Sequence, residues 1–143
     1  MRAKVMRMIA AAALIAGPGL LPAQAETKLA AGGSWANEDG SVLTITSVAA
    51  NGQLTGTFTT QAGCGAKQPQ PVTGWYYGAG AGGALSFSVV WVGCKSVTTW
   101  AGQYSDATGR FAALWHMALA SAPVWNGIIA GSHLFTAQPS KKP

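Results

Sequence analysis

Short runs in which apolar and polar residues strictly alternate, each closed by Gly, Asn, Asp or Pro, recur along this chain from residue 34 onward. Leu54, Gly56 and Phe58 interleave with Thr55, Thr57 and Thr59; Leu85, Phe87, Val89 and Trp91 interleave with Ser86 and Ser88; Phe111, Ala113, Trp115 and Met117 interleave with Ala112, Leu114 and His116. Successive side chains of an extended chain point to opposite faces, so each run presents one face to a core and the other to solvent. The pattern predicts eight strands, over 34–37, 41–48, 53–60, 71–77, 84–92, 97–104, 111–119 and 127–136. The intervening residues offer the positive φ or side-chain capping that hairpins need: Glu38-Asp39-Gly40, Asn51-Gly52, the glycine-rich 78–83 and 105–109. Even spacing without helical periodicity implies an all-β, antiparallel up-and-down meander. Closing it into an eight-stranded barrel removes exposed edges and leaves an interior able to hold one small ligand.

The first residues belong to a different class. Arg2, Lys4 and Arg7 precede an apolar run broken by Gly17-Pro18-Gly19 and then Ala23-Gln24-Ala25, the pattern of a secretory signal peptide over 1–25; a membrane anchor would need about 20 uninterrupted apolar residues. The expected organisation is therefore a leader (1–25), a flexible segment (26–33), a barrel domain (34–137) and a disordered tail (138–143), in a protein secreted to the periplasm or beyond the cell. Of the 143 residues, 9 are Lys or Arg and 4 are Asp or Glu, a net charge of +5. Three of those bases lie in the leader and all the acids follow it, so the excess left after cleavage is small. No basic cluster remains, and nucleic-acid binding is not expected. The 2 cysteines, Cys64 and Cys94, are most simply a disulfide in an exported chain, and they flank the fourth and fifth strands so that both fall at the open end of that hairpin. No Cys/His set has metal-ligand spacing.

Candidate chemistry concentrates in Trp91 to Tyr104, W-V-G-C-K-S-V-T-T-W-A-G-Q-Y. Ser96, Thr98 and Trp100 share one face there, with Val97 and Thr99 on the other. An aromatic wall with a few placed hydroxyls is the make-up of a small-ligand pocket. Taken singly, Trp91, Trp100 and Trp115 also suit an ordinary core, Asn37 and Ser41 also suit caps of the turn they flank, and His133 a polar group near a strand end. A secreted hydrolase is disfavoured, because Glu38, Asp39 and Asp106 sit in turns and no nucleophile, base and acid converge.

The segments G-S-W-A-N (Gly33 to Asn37) with Gly40-Ser41, L-T-G-T-F (Leu54 to Phe58), V-V-W (Val89 to Trp91), T-T-W-A-G-Q-Y (Thr98 to Tyr104), Trp115, Trp125 and G-S-H-L-F-T (Gly131 to Thr136) occur in the order found in one family. The chain resembles the avidin/streptavidin family of biotin-binding proteins over nearly all of the exported part. That resemblance implies biotin as the bound ligand, with no cofactor and no catalysis. It implies that Asn37 and Ser41 hold the ureido oxygen, with Phe58 where the family has a third donor, a tyrosine. Thr60 then accepts from a ureido N–H, and His133 stands where the family has an aspartate acceptor. A neutral imidazole accepts through one ring nitrogen and a protonated one does not. Thr98 faces the ligand sulfur, Ser96 lies near the carboxylate of the ligand's tail, and Trp91, Trp100 and Trp115 are the aromatic walls. Trp125 matches the tryptophan that crosses into a neighbouring subunit in tetrameric members, whereas the Cys64/Cys94 pair matches the rhizavidin-type dimeric ones; the expectation is a homo-oligomer, a tetramer or dimer of dimers. The departures at Phe58 and His133 keep open an exported barrel that binds another hydrophobic ligand, as lipocalins do, or a protein partner, as barrel-shaped inhibitors do.

Overall fold

Period-two patterning becomes a closed sheet. The computed structural model describes residues 29–139; the expected leader, the first residues of the expected flexible segment and the last four of the tail lie outside them. The strands are β1 (Ser34–Ala36), β2 (Val42–Val48), β3 (Gln53–Thr59), β4 (Gln70–Ala79), β5 (Gly82–Trp91), β6 (Ser96–Ser105), β7 (Arg110–Leu119) and β8 (Ile128–Ala137), with one turn of 3-10 helix at Val92–Cys94. All neighbours pair antiparallel in chain order, and β8 returns to β1 through Trp35↔Ala137 and Ala36↔Thr136, so the barrel is closed. The eight expected strands are all present.

Most strand ends fall within a residue of the sequence reading, and two regions depart further. The 78–83 turn is shorter than expected, because Gly78 pairs with Gly83 and Ala79 with Gly82, leaving Gly80-Ala81 as the connection. Glycine carries no side-chain pattern, so alternation ends there while backbone pairing continues. The second lies just before β1, within the segment expected to be flexible. Leu29 is buried, Gly32 N–H donates to Ile45 C=O and Ile45 N–H to Gly33 C=O, which extends the β2 ladder beyond β1.

Inward positions fill the barrel. Trp35, Leu43, Ile45, Leu54, Val72, Phe87, Val89, Phe111 and Phe135 are almost wholly buried. Phe111 stacks on Phe135 at 4.4 Å and Phe87 on Trp100 at 4.7 Å, so aromatic faces run from the closed end toward the mouth. The disulfide joins Cys64 in the β3–β4 loop to Cys94 in the β5–β6 turn, with Cα atoms 5.9 Å apart. It lies at the open end of the β4–β5 hairpin, as expected, and ties two loops of one barrel rim together.

Two stability outcomes follow. Replacing both cysteines with serine frees a loop with a sequence separation of 30, which costs about 3 to 4 kcal/mol in the chain-entropy account; denaturant titration of the double variant measures it. At the other end, the Tyr104 hydroxyl is buried without a hydrogen-bond partner among the described residues. Burial, with the Asp106 carboxylate and Tyr76 adding to it, pushes its pKa up to about 12. The unfolded tyrosine ionises near 10, so the folded state holds the proton longer, and stability falls as pH rises through that window. Thermal melts from pH 8 to 12 are expected to show that fall, and Tyr104→Phe to reduce it with stability at neutral pH unchanged or higher.

Candidate functional site

Alternation on five strands aims one set of side chains into the mouth of the barrel. β3 delivers Phe58, β5 ends in Trp91, β6 contributes Thr98 and Trp100, β7 Trp115 and Met117, and β8 His133; the β1–β2 turn adds Asp39 and Ser41, and the β3–β4 loop Thr60, Gln61 and Ala62. Together they enclose a cavity of about 410 Å³. Trp115 reaches it because its cross-strand partner is Gly131: a Cβ there would stand 2.5 Å from the indole.

Hydrogen bonds assign a direction to each polar group. Trp91 Nε1–H donates to Thr98 Oγ1 at 2.9 Å, so the Thr98 hydroxyl accepts from the wall and keeps its own proton to donate. Thr60 donates its proton to Ala62 C=O at 3.0 Å and presents lone pairs elsewhere. Ser41 Oγ makes only a long contact of 3.5 Å to Thr60 Oγ1, so its proton is available. Trp100 Nε1–H donates to His133 Nδ1 at 3.2 Å. An indole N–H only donates, so Nδ1 carries the lone pair and the proton of the neutral ring sits on Nε2. That nitrogen lies 3.2 Å from Asp39 Oδ2.

The turn bearing Asp39 is built for position. Gly40 takes φ +76°, and Gly40 N–H bonds Asn37 C=O at 3.0 Å while Asn37 N–H bonds Ser41 C=O at 2.9 Å, closing a three-residue hairpin loop. Its first acid, Glu38, accepts Leu134 N–H at 2.9 Å. A bond from its own backbone N–H holds the Glu38 carboxyl below the usual carboxylate range against a burial effect that raises it, with Leu134 N–H and His133 assisting.

Of the residues anticipated from the sequence, Ser41, Phe58, Thr60, Trp91, Thr98, Trp100, Trp115 and His133 line one cavity. Asn37 is not among the lining residues but is buried directly beside Ser41: its Oδ1 accepts Ser41 N–H at 2.8 Å, and its Nδ2 has no partner among the described residues. Ser96 is buried at the start of β6, across from Trp91, and is not among the lining residues. Trp125 lies on the β7–β8 connection with φ +72°, and is 83% exposed rather than turned into this barrel. His133 is in place, but both ring nitrogens are engaged, so it offers no open acceptor. Asp39, Gln61, Ala62 and Met117 were not among the expected site residues, although a loop over 61–70 closing over the mouth was expected. Met117 follows from alternation with Trp115; Asp39 carried no signal beyond its place beside Ser41 in a turn. Among the described residues, no group of three or more His, Cys, Asp or Glu side chains is placed to hold a metal ion, and no helix is long and apolar enough to cross a membrane.

The Avidin family model matches residues 25–138. Core-bradavidin is 47% identical, with 74% of this chain and 98% of that chain covered and a TM-score of 0.68. Bradavidin is 43% identical over 78% of this chain and 83% of that one, with a TM-score of 0.72, and a shwanavidin variant in complex with biotin is 35% identical over 78% and 98%, with a TM-score of 0.68. No curated protein sequence matches the chain. Closed eight-stranded topology, an indole-walled mouth and the family match agree: the chain belongs to the avidin family, and it is a non-catalytic binding protein rather than an enzyme.

Proposed function

We propose that this protein binds biotin reversibly in the cavity at the mouth of its barrel. The observation that carries the reading is the arrangement of hydroxyl protons on an indole-walled pocket. Ser41 has a proton to give, Thr60 has spent its proton and accepts, and Thr98 donates. A cyclic urea needs a donor toward its oxygen and an acceptor toward its N–H, and a thioether takes a weak donor, so each group meets its complement. Trp91, Trp100 and Trp115 cover the bicyclic ring, whose burial contributes at roughly 25 cal/mol per Å². The Asn37 amide, buried with an unmet Nδ2–H beside Ser41, serves as a second donor to the ureido oxygen. Ser96 supports the end of the pocket nearest the carboxylate tail.

The pocket is held by strands and by the Cys64–Cys94 bond rather than by free loops, so little ordering entropy is lost when ligand enters. The β3–β4 loop supplies the lid through Gln61 and Ala62. Export with cleavage near residue 25 fits the presence of a disulfide. The protein acts as a homo-oligomer. Val97, Leu114, Ile128 and Leu134 are exposed apolar side chains on the outer face of β6 to β8, and the exposed indole of Trp125 is available to a neighbouring copy.

Isothermal titration of the exported chain with biotin tests the reading directly: saturable binding at one ligand per chain is expected, accompanied by a change in Trp emission, and no uptake at millimolar ligand would refute it. Phe58 packs at 4.9 Å from Trp100 and lines the cavity without a polar atom. Phe58→Tyr supplies the third donor, and a five- to tenfold tighter Kd is expected, on the order of 1 kcal/mol; an unchanged or weaker Kd would argue against this orientation of the urea.

A further inference from the structure

We propose that the Asp39 carboxylate is the second acceptor for the ligand's urea, and that His133 is a positioning residue that holds Asp39 over the cavity. This deepens the biotin reading and rests on it. The family's acceptor position in the last strand is occupied by His133, whose Nδ1 is taken by the Trp100 indole and whose Nε2 faces Asp39 Oδ2 at 3.2 Å. The three groups form a chain with one sense, Trp100 N–H to His133, His133 N–H to Asp39. It ends on a carboxylate, which only accepts. One oxygen of Asp39 meets His133, and the other has no partner among the described residues; the side chain is 69% exposed and lines the cavity.

Position around the barrel supports the assignment. The β1–β2 turn sits between β3 on one side and β8 on the other. Going around the mouth, Thr60 beyond β3 is an acceptor, Ser41 on the turn is a donor, and Asp39 with His133 of β8 is again an acceptor. Acceptor, donor, acceptor is the complement of N–H, C=O, N–H, the edge of a urea. Without the Asp39 carboxylate the third position is unfilled, because His133 has no lone pair to offer. The turn is also clasped to β8 twice over, by Glu38 to Leu134 N–H and by Asp39 to the preceding residue, so an otherwise exposed carboxylate is kept at a fixed place. A charge-assisted bond at the rim is worth more than a neutral one, which compensates in part for the missing aspartate of the last strand.

The test is a variant cycle read by isothermal titration with biotin on the full exported chain. Asp39→Asn keeps the size of the side chain and removes its charge; a Kd ten- to a hundredfold weaker is expected, with the melting temperature of the ligand-free protein unchanged, since the side chain is exposed. His133→Asp places a carboxylate in the last strand, and in that background Asp39→Asn is expected to change the Kd less than twofold. Nitrogen NMR of the ligand-free protein is expected to find His133 protonated on Nε2 alone. An Asp39→Asn Kd equal to that of the parent, the same fold-loss in both backgrounds, or a proton on Nδ1 would each overturn the proposal while leaving biotin binding intact. Failure of the parent protein to bind biotin would overturn both.

Discussion

The indole of Trp100 is where the core of this barrel becomes the wall of its cavity. One face stacks on Phe87 with planes 9° apart, the ring lies 4.9 Å from Phe58, and its N–H is spent on His133. Those contacts leave the side chain almost no freedom, so the wall it offers to the cavity is set by packing rather than by ligand. A barrel of antiparallel hairpins is well suited to this. Backbone bonds on both sides of every strand fix the direction of each inward side chain, and apolar filling at the closed end, centred on Trp35, Phe111 and Phe135, supports the layer above.

Above that layer the site is a matter of proton direction. Trp91 donating to Thr98, Thr60 donating to Ala62 and Trp100 donating to His133 decide which groups at the mouth remain donors and which accept. In the proposed arrangement the negative charge sits on a turn rather than on a strand. His133 occupies a place suited to an acceptor but passes its hydrogen outward to Asp39, and the Glu38 contact with Leu134 keeps that turn against β8. Preorganisation of this kind lets a largely uncharged pocket discriminate by pattern, since a ligand with donors and acceptors in another order leaves buried groups unpaired.

Much of this was legible in the residues. Alternation between turn residues located all eight strands, and the inward set on β5 and β6 singles out Trp91, Thr98 and Trp100 from the sequence alone. It failed where side chains carry no pattern: at Gly78 to Gly83 the strands continue through backbone pairing alone, and at Leu29 a buried contact precedes the first strand. Site residues on strands were readable because periodicity gives their direction. Those on loops were not. Asp39 is one of two adjacent acids in a turn, and only the three-dimensional approach of β8 distinguishes its role from that of Glu38. Nor does sequence reveal that His133 has both nitrogens committed, because the Trp100 bond spans 33 residues.

The proposed binding depends on a rigid cavity already shaped for a cyclic urea. A crystal structure of the exported chain soaked with biotin tests that most directly. The account predicts the urea ring inside the mouth among Ser41, Thr60 and Asp39, the sulfur toward Thr98, the rings enclosed by Trp91, Trp100 and Trp115, and strand backbones that superpose on the ligand-free barrel. Biotin seated elsewhere, or a cavity that opens only by displacing Trp100 from Phe87, would contradict it.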